Sequence, residues 1–325
     1  VLNDEGTLVL RRAAVWGNTA VYGGGVYNND FNPSNAYPAS ATVDRSFVGR
    51  NSATDHQCPT WLILPGNLCG AGGGIFSENA RTTVVNSTVA ENQASTFGGG
   101  LYNLRLGTAS AAQGAMQLTN ATVSANHAGT EGGGVLVNGA PVTATNTVLA
   151  DNHAGTGPAD CFLVPGSTIA STGNSVTTDS RCRFLQPTDR ISTALLAPLP
   201  ATVTAASTMP PIIGSTAIGN AASVVCAASP VAAVDQVGAV RPQGVGCDIG
   251  AAEASVAPPG ASSTGRPAVF RAGVFRTRPT QASGAATTAT SLGLAADTPL
   301  MCDFDGDGTR SVTVVRPHLS GGLVW

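Results

Sequence analysis

The chain has 325 residues, a formal charge of −3, and only 11% charged residues, with Arg supplying all 16 of its Lys+Arg positions. That balance gives no general attraction for nucleic acid or an anionic membrane, and no apolar run reaches the roughly 18 residues of a spanning helix. With 42% hydrophobic residues and 40 Gly, the composition suits stacked β-structure better than helices, whose wet faces normally use Glu and Lys.

The chain begins "VLNDEGTLVL", without Met and without a basic-then-apolar leader. It reads as a fragment whose own N-terminus lies upstream. A repeat follows at once. The stretches "AAVWGNTA", "SFVGRNSA", "STVAENQA", "ATVSANHA" and "TVLADNHA" align on Asn18, Asn51, Asn92, Asn126 and Asn152. Three residues before each Asn stands Val15, Val48, Val89, Val123 or Leu149. Triple glycines begin at Gly23, Gly72, Gly98 and Gly132, and apolar residues resume at Val26, Ile75, Leu101 and Val135. The shortest step, Asn126 to Asn152, is 26 residues.

Such a period belongs to a solenoid, in which one coil cannot bury its apolar face alone and stacking supplies the core. The pattern predicts an all-β, right-handed parallel β-helix over residues 1–253, its hand following the usual crossover rule. The Val15-type residues should form one inward column, and the Asn residues a structural ladder at a turn. Glycine supplies positive φ and close backbone approach where coils turn. A dinucleotide-binding loop is not expected, because no helical pattern follows any of the four glycine runs. The excess between Asn51 and Gly72 reads as an outward loop, as does "LRLGTASAAQGAM" at 104–116. His127 and His153 both follow a ladder Asn, where other coils carry Thr19, Ser52 and Gln93. That variety favours a solvated ladder position over a metal or acid–base pair.

Seven Cys form three local pairs, Cys58–Cys69, Cys161–Cys182 and Cys226–Cys247, leaving Cys302 free. The last two pairs share a spacing of 21. No zinc-type spacing competes, so disulfides formed outside the cytoplasm are expected. Residues 254–265, "ASVAPPGASSTG", read as a Pro/Ser/Gly linker. Beyond it, "RPAVFRAGVFRTR" and "SVTVVRPHLSGGLVW" are related, with Arg271 and Arg316 about one propeller blade (~45 residues) apart. Between them Asp303, Asp305 and Asp307 alternate in a Gly-bearing loop, hard oxygen ligands suited to Ca2+.

The "NSTVAENQA…GGGLYN" coils and the stretch "GSTAIGNA…DQVGAVRPQGVGCDIGAAE" resemble the secreted bacterial β-helix proteins of the choice-of-anchor Q type, with polymorphic-outer-membrane-protein-like repeats. Asp235, Gln236, Arg241, Pro242, Cys247, Asp248, Gly250 and Glu253 carry the resemblance of the second stretch to that family's closing coil. Family members read Ala-Ile-Asp where this chain has Ala217-Ile218-Gly219. Residues 266–325 resemble a partial FG-GAP/VCBS repeat, an incomplete propeller-like segment. That resemblance implies low-affinity calcium at Asp303, Asp305, Asp307 and the ninth position, where Ser311 replaces the usual Asp. Asp235, Arg241, Asp248 and Glu253 are read as an ion-paired end of the stack rather than a catalytic cluster.

The family resemblance implies a non-catalytic secreted or cell-surface protein, adhesin-like, binding a glycan or another surface ligand as a monomer. Two alternatives stand beside it. One is a polysaccharide lyase or glycoside hydrolase with catalytic coils outside this stretch, since Asp44, Asp55, Glu78, Glu91, Glu131, Asp151 and Asp160 contain no adjacent pair. The other is a structural spacer or stalk.

Overall fold

The computed structural model describes residues 1–31, 38–55, 69–107, 114–155 and 157–254, and, beyond these, the strand residues 268–271, 274–277, 288–291, 298–302, 311–317 and 323–324. The chain divides into two compact units, Val1–Val256 and Ala257–Trp325. Among the described residues the first unit is all-β apart from one short helix, Ser223–Ala227. It is a stack of coils whose strands form four parallel sheets.

The first sheet takes Leu2–Asp4, Val26–Asn29, Ile75–Glu78, Leu101–Leu104, Val135–Asn138 and Cys161–Leu163. The second runs from Thr7–Arg11 through Ser40–Asp44, Arg81–Val85, Met116–Thr119 and Val142–Thr145 to Ile169–Ser171. The third begins at Ala14–Trp16 and passes through Phe47–Gly49, Thr88–Ala90, Thr122–Ser124, Val148–Ala150 and Val176–Thr177 to Arg190–Ile191. The fourth consists of two-residue strands, Thr19–Ala20, Ser52–Ala53, Gln93–Ala94, His127–Ala128 and His153–Ala154, ending on Gly157–Pro158, which pairs antiparallel.

Register makes the repeat physical. Val15 lies opposite Val48, Val48 opposite Val89, Val89 opposite Val123, and Val123 opposite Leu149. All five are buried in one core with Val26, Ile75, Leu101 and Val135. Each triple glycine divides its labour. In the fourth coil Gly98 has φ +65°, a left-handed corner. A Cβ on Gly99 would overlap the His127 backbone, and one on Gly100 would meet the Gly134 carbonyl and the Asn126 amide. Positive φ serves the first glycine, and close stacking the other two.

The stack is stopped at its far end by side chains. Cys182, disulfide-bonded to Cys161, and Phe184 join the core there. Asp189 accepts from the Ser175 backbone N–H at 3.0 Å and the Ser171 hydroxyl at 2.7 Å.

Residues 192–254 correct one expectation. Asp235, Arg241, Asp248 and Glu253 do not cap the end of the stack. Their segment packs along the outer face of the third sheet: Thr88 donates to Gln236 Oε1 at 2.6 Å, the Ala251 N–H to Thr122 Oγ1 at 2.9 Å, and the Gly250 N–H to the Asn146 carbonyl at 2.9 Å. The reason is apolar surface. Val148, Ala150 and Val176 are covered by Ala194, Ala217, Cys226, Cys247 and Ile249, and Phe47 and Ala90 by Leu199 and Met209. A sheet buried on both faces needs such a cover.

The second unit, described by its strands alone, contains an antiparallel sheet of Ala268–Arg271, Val274–Thr277 and Thr288–Ser291. A second antiparallel sheet holds Thr298–Cys302, Ser311–Pro317 and Leu323–Val324.

Candidate functional site

The corner between the third and fourth sheets is the same in five coils. Gly17, Arg50, Glu91, Ala125 and Asp151 have φ of 67°, 55°, 55°, 56° and 57°. Only the first is glycine. The next residue is the ladder Asn, and from Asn51 onward it is buried. Asn51 Nδ2 donates to Asn92 Oδ1 at 3.0 Å and to the Val15 carbonyl at 2.9 Å. Asn92 Nδ2 donates to Asn126 Oδ1 at 2.9 Å and to the Val48 carbonyl at 3.0 Å. Asn126 repeats this to Asn152 Oδ1 and the Val89 carbonyl. Each Oδ1 also accepts the backbone N–H of the Asn in the coil before, as Asn92 Oδ1 does from Asn51 at 3.1 Å. Asn18, at the exposed start, donates to Asn51 Oδ1 at 2.9 Å.

The ladder ends on Asp160, which spacing did not reveal because the residue type changes. Its Oδ1 accepts from Asn152 Nδ2 at 2.9 Å, and its Oδ2 from the Thr178 hydroxyl and backbone N–H, both at 2.7 Å. Burial pushes this carboxyl up, while the Thr178 and Asn152 hydrogen bonds pull it back. The ladder residues are spent on one another, so they hold the coils rather than a ligand.

The residue after each ladder Asn points outward: Thr19, Ser52, Gln93, His127 and His153 lie in register across the fourth sheet. Together with the corner residues they form an open groove of about 460 Å³, lined by Arg50, Ser52, Glu91, Gln93, Ala125 and His127 above Asn51. Ala125 leaves a gap between two longer corner residues, Glu91 and Asp151. Arg50 is already committed: Nε pairs with Glu91 Oε2 at 2.7 Å, Nη1 donates to the Ala201 carbonyl at 3.1 Å, and Nη2 to the Pro200 carbonyl at 3.3 Å. It fastens the covering segment to the groove wall and cancels the charge of Glu91. Beside the Arg50–Glu91 pair, the polar groups facing the groove are a hydroxyl, a carboxamide and an imidazole. His127 Nε2 lies 3.4 Å from the Gly155 carbonyl, and His153 Nδ1 lies 3.0 Å from that of Asp151.

The acidic cluster at 235–253 is closed to chemistry. Arg241 Nη1 pairs with Glu253 Oε1 at 2.6 Å, both side chains almost fully buried. Asp248 N–H and Gln243 N–H donate to Glu253, Gly219 N–H and Ala254 N–H to Asp248, and Ala239 N–H and Glu253 N–H to Asp235. Burial lowers the Arg241 pKa and raises that of Glu253, their mutual attraction opposing both shifts. With every carboxylate oxygen occupied, the cluster locks the cover in place.

Cys161–Cys182 and Cys226–Cys247 are disulfides. Cys69 is also disulfide-bonded, while Cys58 lies outside the described residues. Asp303, Asp305 and Asp307 lie outside them too, and Ser311 opens the strand Ser311–Pro317. Among the described residues no three His, Cys, Asp or Glu side chains gather closely enough for a metal ion, and no helix is long and apolar enough to cross a membrane. No family model matches this chain, and neither a curated protein nor a solved structure matches it.

Proposed function

We propose that this chain is a non-catalytic secreted or cell-surface protein, adhesin-like, whose fourth-sheet groove binds neutral glycans. The observation that carries the reading is the polar strip of Ser52, Gln93 and His127, with Arg50 and Glu91 paired beside it. Sugar hydroxyls donate and accept at once, and a hydroxyl, a carboxamide and an imidazole offer partners of both kinds. Each Arg50 nitrogen already donates once, to Glu91 or to the covering segment, so this guanidinium is less available to an anionic ligand. The strip rises one strand spacing, about 4.8 Å, per coil, which suits an extended polymer. Disulfide bonding fits an extracellular setting.

Within this reading the first unit is a right-handed parallel β-helix of the choice-of-anchor Q type. The second is a partial FG-GAP/VCBS repeat binding calcium through Asp303, Asp305, Asp307 and Ser311. The test is an array of neutral, uronic and sulfated oligosaccharides probed with the full chain and with a Gln93→Ala/His127→Ala variant. Neutral glycans should bind, and the variant should bind them about tenfold or more weakly, as losing two hydrogen bonds implies. Silence on every glycan, or binding indifferent to the variant, removes the proposal. Cleavage of a bound glycan would favour the enzyme reading instead.

A further inference from the structure

On the outer face of the first sheet, away from the groove, Asp4, Asn29 and Glu78 stand directly opposite one another on three successive strands. Asn29 is fully buried, and its Oδ1 has no hydrogen-bond partner. Its Nδ2 donates to Asp4 Oδ1 at 3.2 Å. That bond fixes the amide, because the flipped orientation would set two oxygens against each other. The orphan Oδ1 is therefore not the atom that meets Asp4, and the residue in register on the other side of Asn29 is Glu78.

Glu78 has the complementary deficit. Its side chain is buried, and among the described residues it takes one hydrogen bond, from the Tyr27 hydroxyl at 2.6 Å, and no salt bridge. Tyr27 in turn stacks on Phe76, with ring centroids 5.2 Å apart, and Phe76 on Tyr102 at 4.9 Å. A carboxylate in such a wall, beside an orphan amide oxygen, costs several kcal/mol unless something positive joins them. One occupant cures both deficits.

We propose that Asn29 Oδ1 and the Glu78 carboxylate hold a hard cation, Ca2+, with backbone oxygens and water completing its shell. An all-oxygen donor set of one carboxylate and one amide carbonyl is calcium chemistry, whereas Mg2+ demands a near-ideal octahedron and keeps most of its water. Asp4, exposed on the far side of Asn29, orients the amide and adds negative potential. The rival occupant is a proton on Glu78, donated to Asn29 Oδ1.

Tyr27 makes the site visible, since a lanthanide bound at Glu78 would be sensitised by the phenol hydrogen-bonded to it. The experiment titrates Tb3+ into the full-length chain carrying Asp303→Ala, Asp305→Ala and Asp307→Ala, which removes the acidic C-terminal loop from the readout. Saturable, tyrosine-sensitised emission displaced by Ca2+ is expected. Glu78→Gln should abolish it, and Asn29→Ala, which keeps the carboxylate, should weaken Ca2+ competition about tenfold. Circular dichroism identifies variants that fold. If Glu78→Gln does not fold, the Asn29→Ala titration decides. Absence of saturable emission assigns the pair to a proton and overturns the proposal, and so does emission that survives both substitutions.

Discussion

Asn92→Ala tests whether the ladder holds the coils. Asn92 is fully buried in mid-stack. Its Nδ2 donates to Asn126 Oδ1 at 2.9 Å and the Val48 carbonyl at 3.0 Å, and its Oδ1 accepts from Asn51 N at 3.1 Å and Asn51 Nδ2 at 3.0 Å. Truncation removes these bonds and leaves the Asn51 N–H and the Val48 carbonyl without side-chain partners where water cannot enter. At about 1 kcal/mol net per bond, more where a buried group is orphaned, the loss is about 4 kcal/mol. Asn18 does the same chemistry at the exposed first coil, donating to Asn51 Oδ1 and the Trp16 carbonyl. Water can replace it there, so Asn18→Ala should cost about 1 kcal/mol or less. Urea unfolding of both full-length variants, followed by circular dichroism, gives the comparison. Losses within about 0.5 kcal/mol of each other would show that position in the stack does not matter, and the ladder argument would fail.

Gly100→Ala should destabilise by about 3 kcal/mol in the same assay, because its Cβ has only the Gly134 carbonyl and the Asn126 amide to enter; a neutral result would mean the coils can spread. Arg241→Ala leaves Glu253 buried without its cation and should cost about 3–5 kcal/mol, read as a lowered urea midpoint. Burial holds the Glu78 proton on to higher pH in the folded chain than in the unfolded one. That contribution is fully present below the ordinary carboxylate pKa of about 4.3 and is lost as pH rises through the folded value. In chelator, Glu78→Gln should therefore raise stability at pH 7 relative to the parent and change it little below pH ~4; the opposite trend in a pH series of unfolding curves would contradict this. Calcium calorimetry on the full chain should lose one set of heats with Asp305→Ala, and identical heats would remove calcium from the C-terminal loop.

The coil period was legible because stacking forces the same chemistry onto one position: Val15, Val48, Val89, Val123 and Leu149 share a column, and so do the Asn residues. What escaped lacked such identity. Arg50, Glu91, Ala125 and Asp151 sit at left-handed corners without the glycine that usually marks one. Asp160 ends an Asn series with a different residue. The covering segment pairs through few strands and through scattered contacts with Asn86, Thr88, Thr122 and Asn146, so no periodicity announced where it folds. The stacked rings of Tyr27, Phe76 and Tyr102 were written plainly after "GGGV", "GGGI" and "GGGL". Their outward position hid them, because an aromatic facing away from the coil reads as exposed, whereas here the rings bury one another with Tyr22, Leu104 and Leu136. The groove was half legible: Ser52, Gln93 and His127 read as a solvated column, but Arg50 neutralised against Glu91 needed coordinates.

Hydrogen exchange with and without a neutral glycan identified on the array tests the central claim most directly. The account predicts slowed exchange in peptides covering 50–53, 91–94 and 125–128, the strip lined by Arg50, Ser52, Glu91, Gln93 and His127, with the first sheet and the C-terminal unit unchanged. Protection confined to those other regions, or none at saturating glycan, would contradict it.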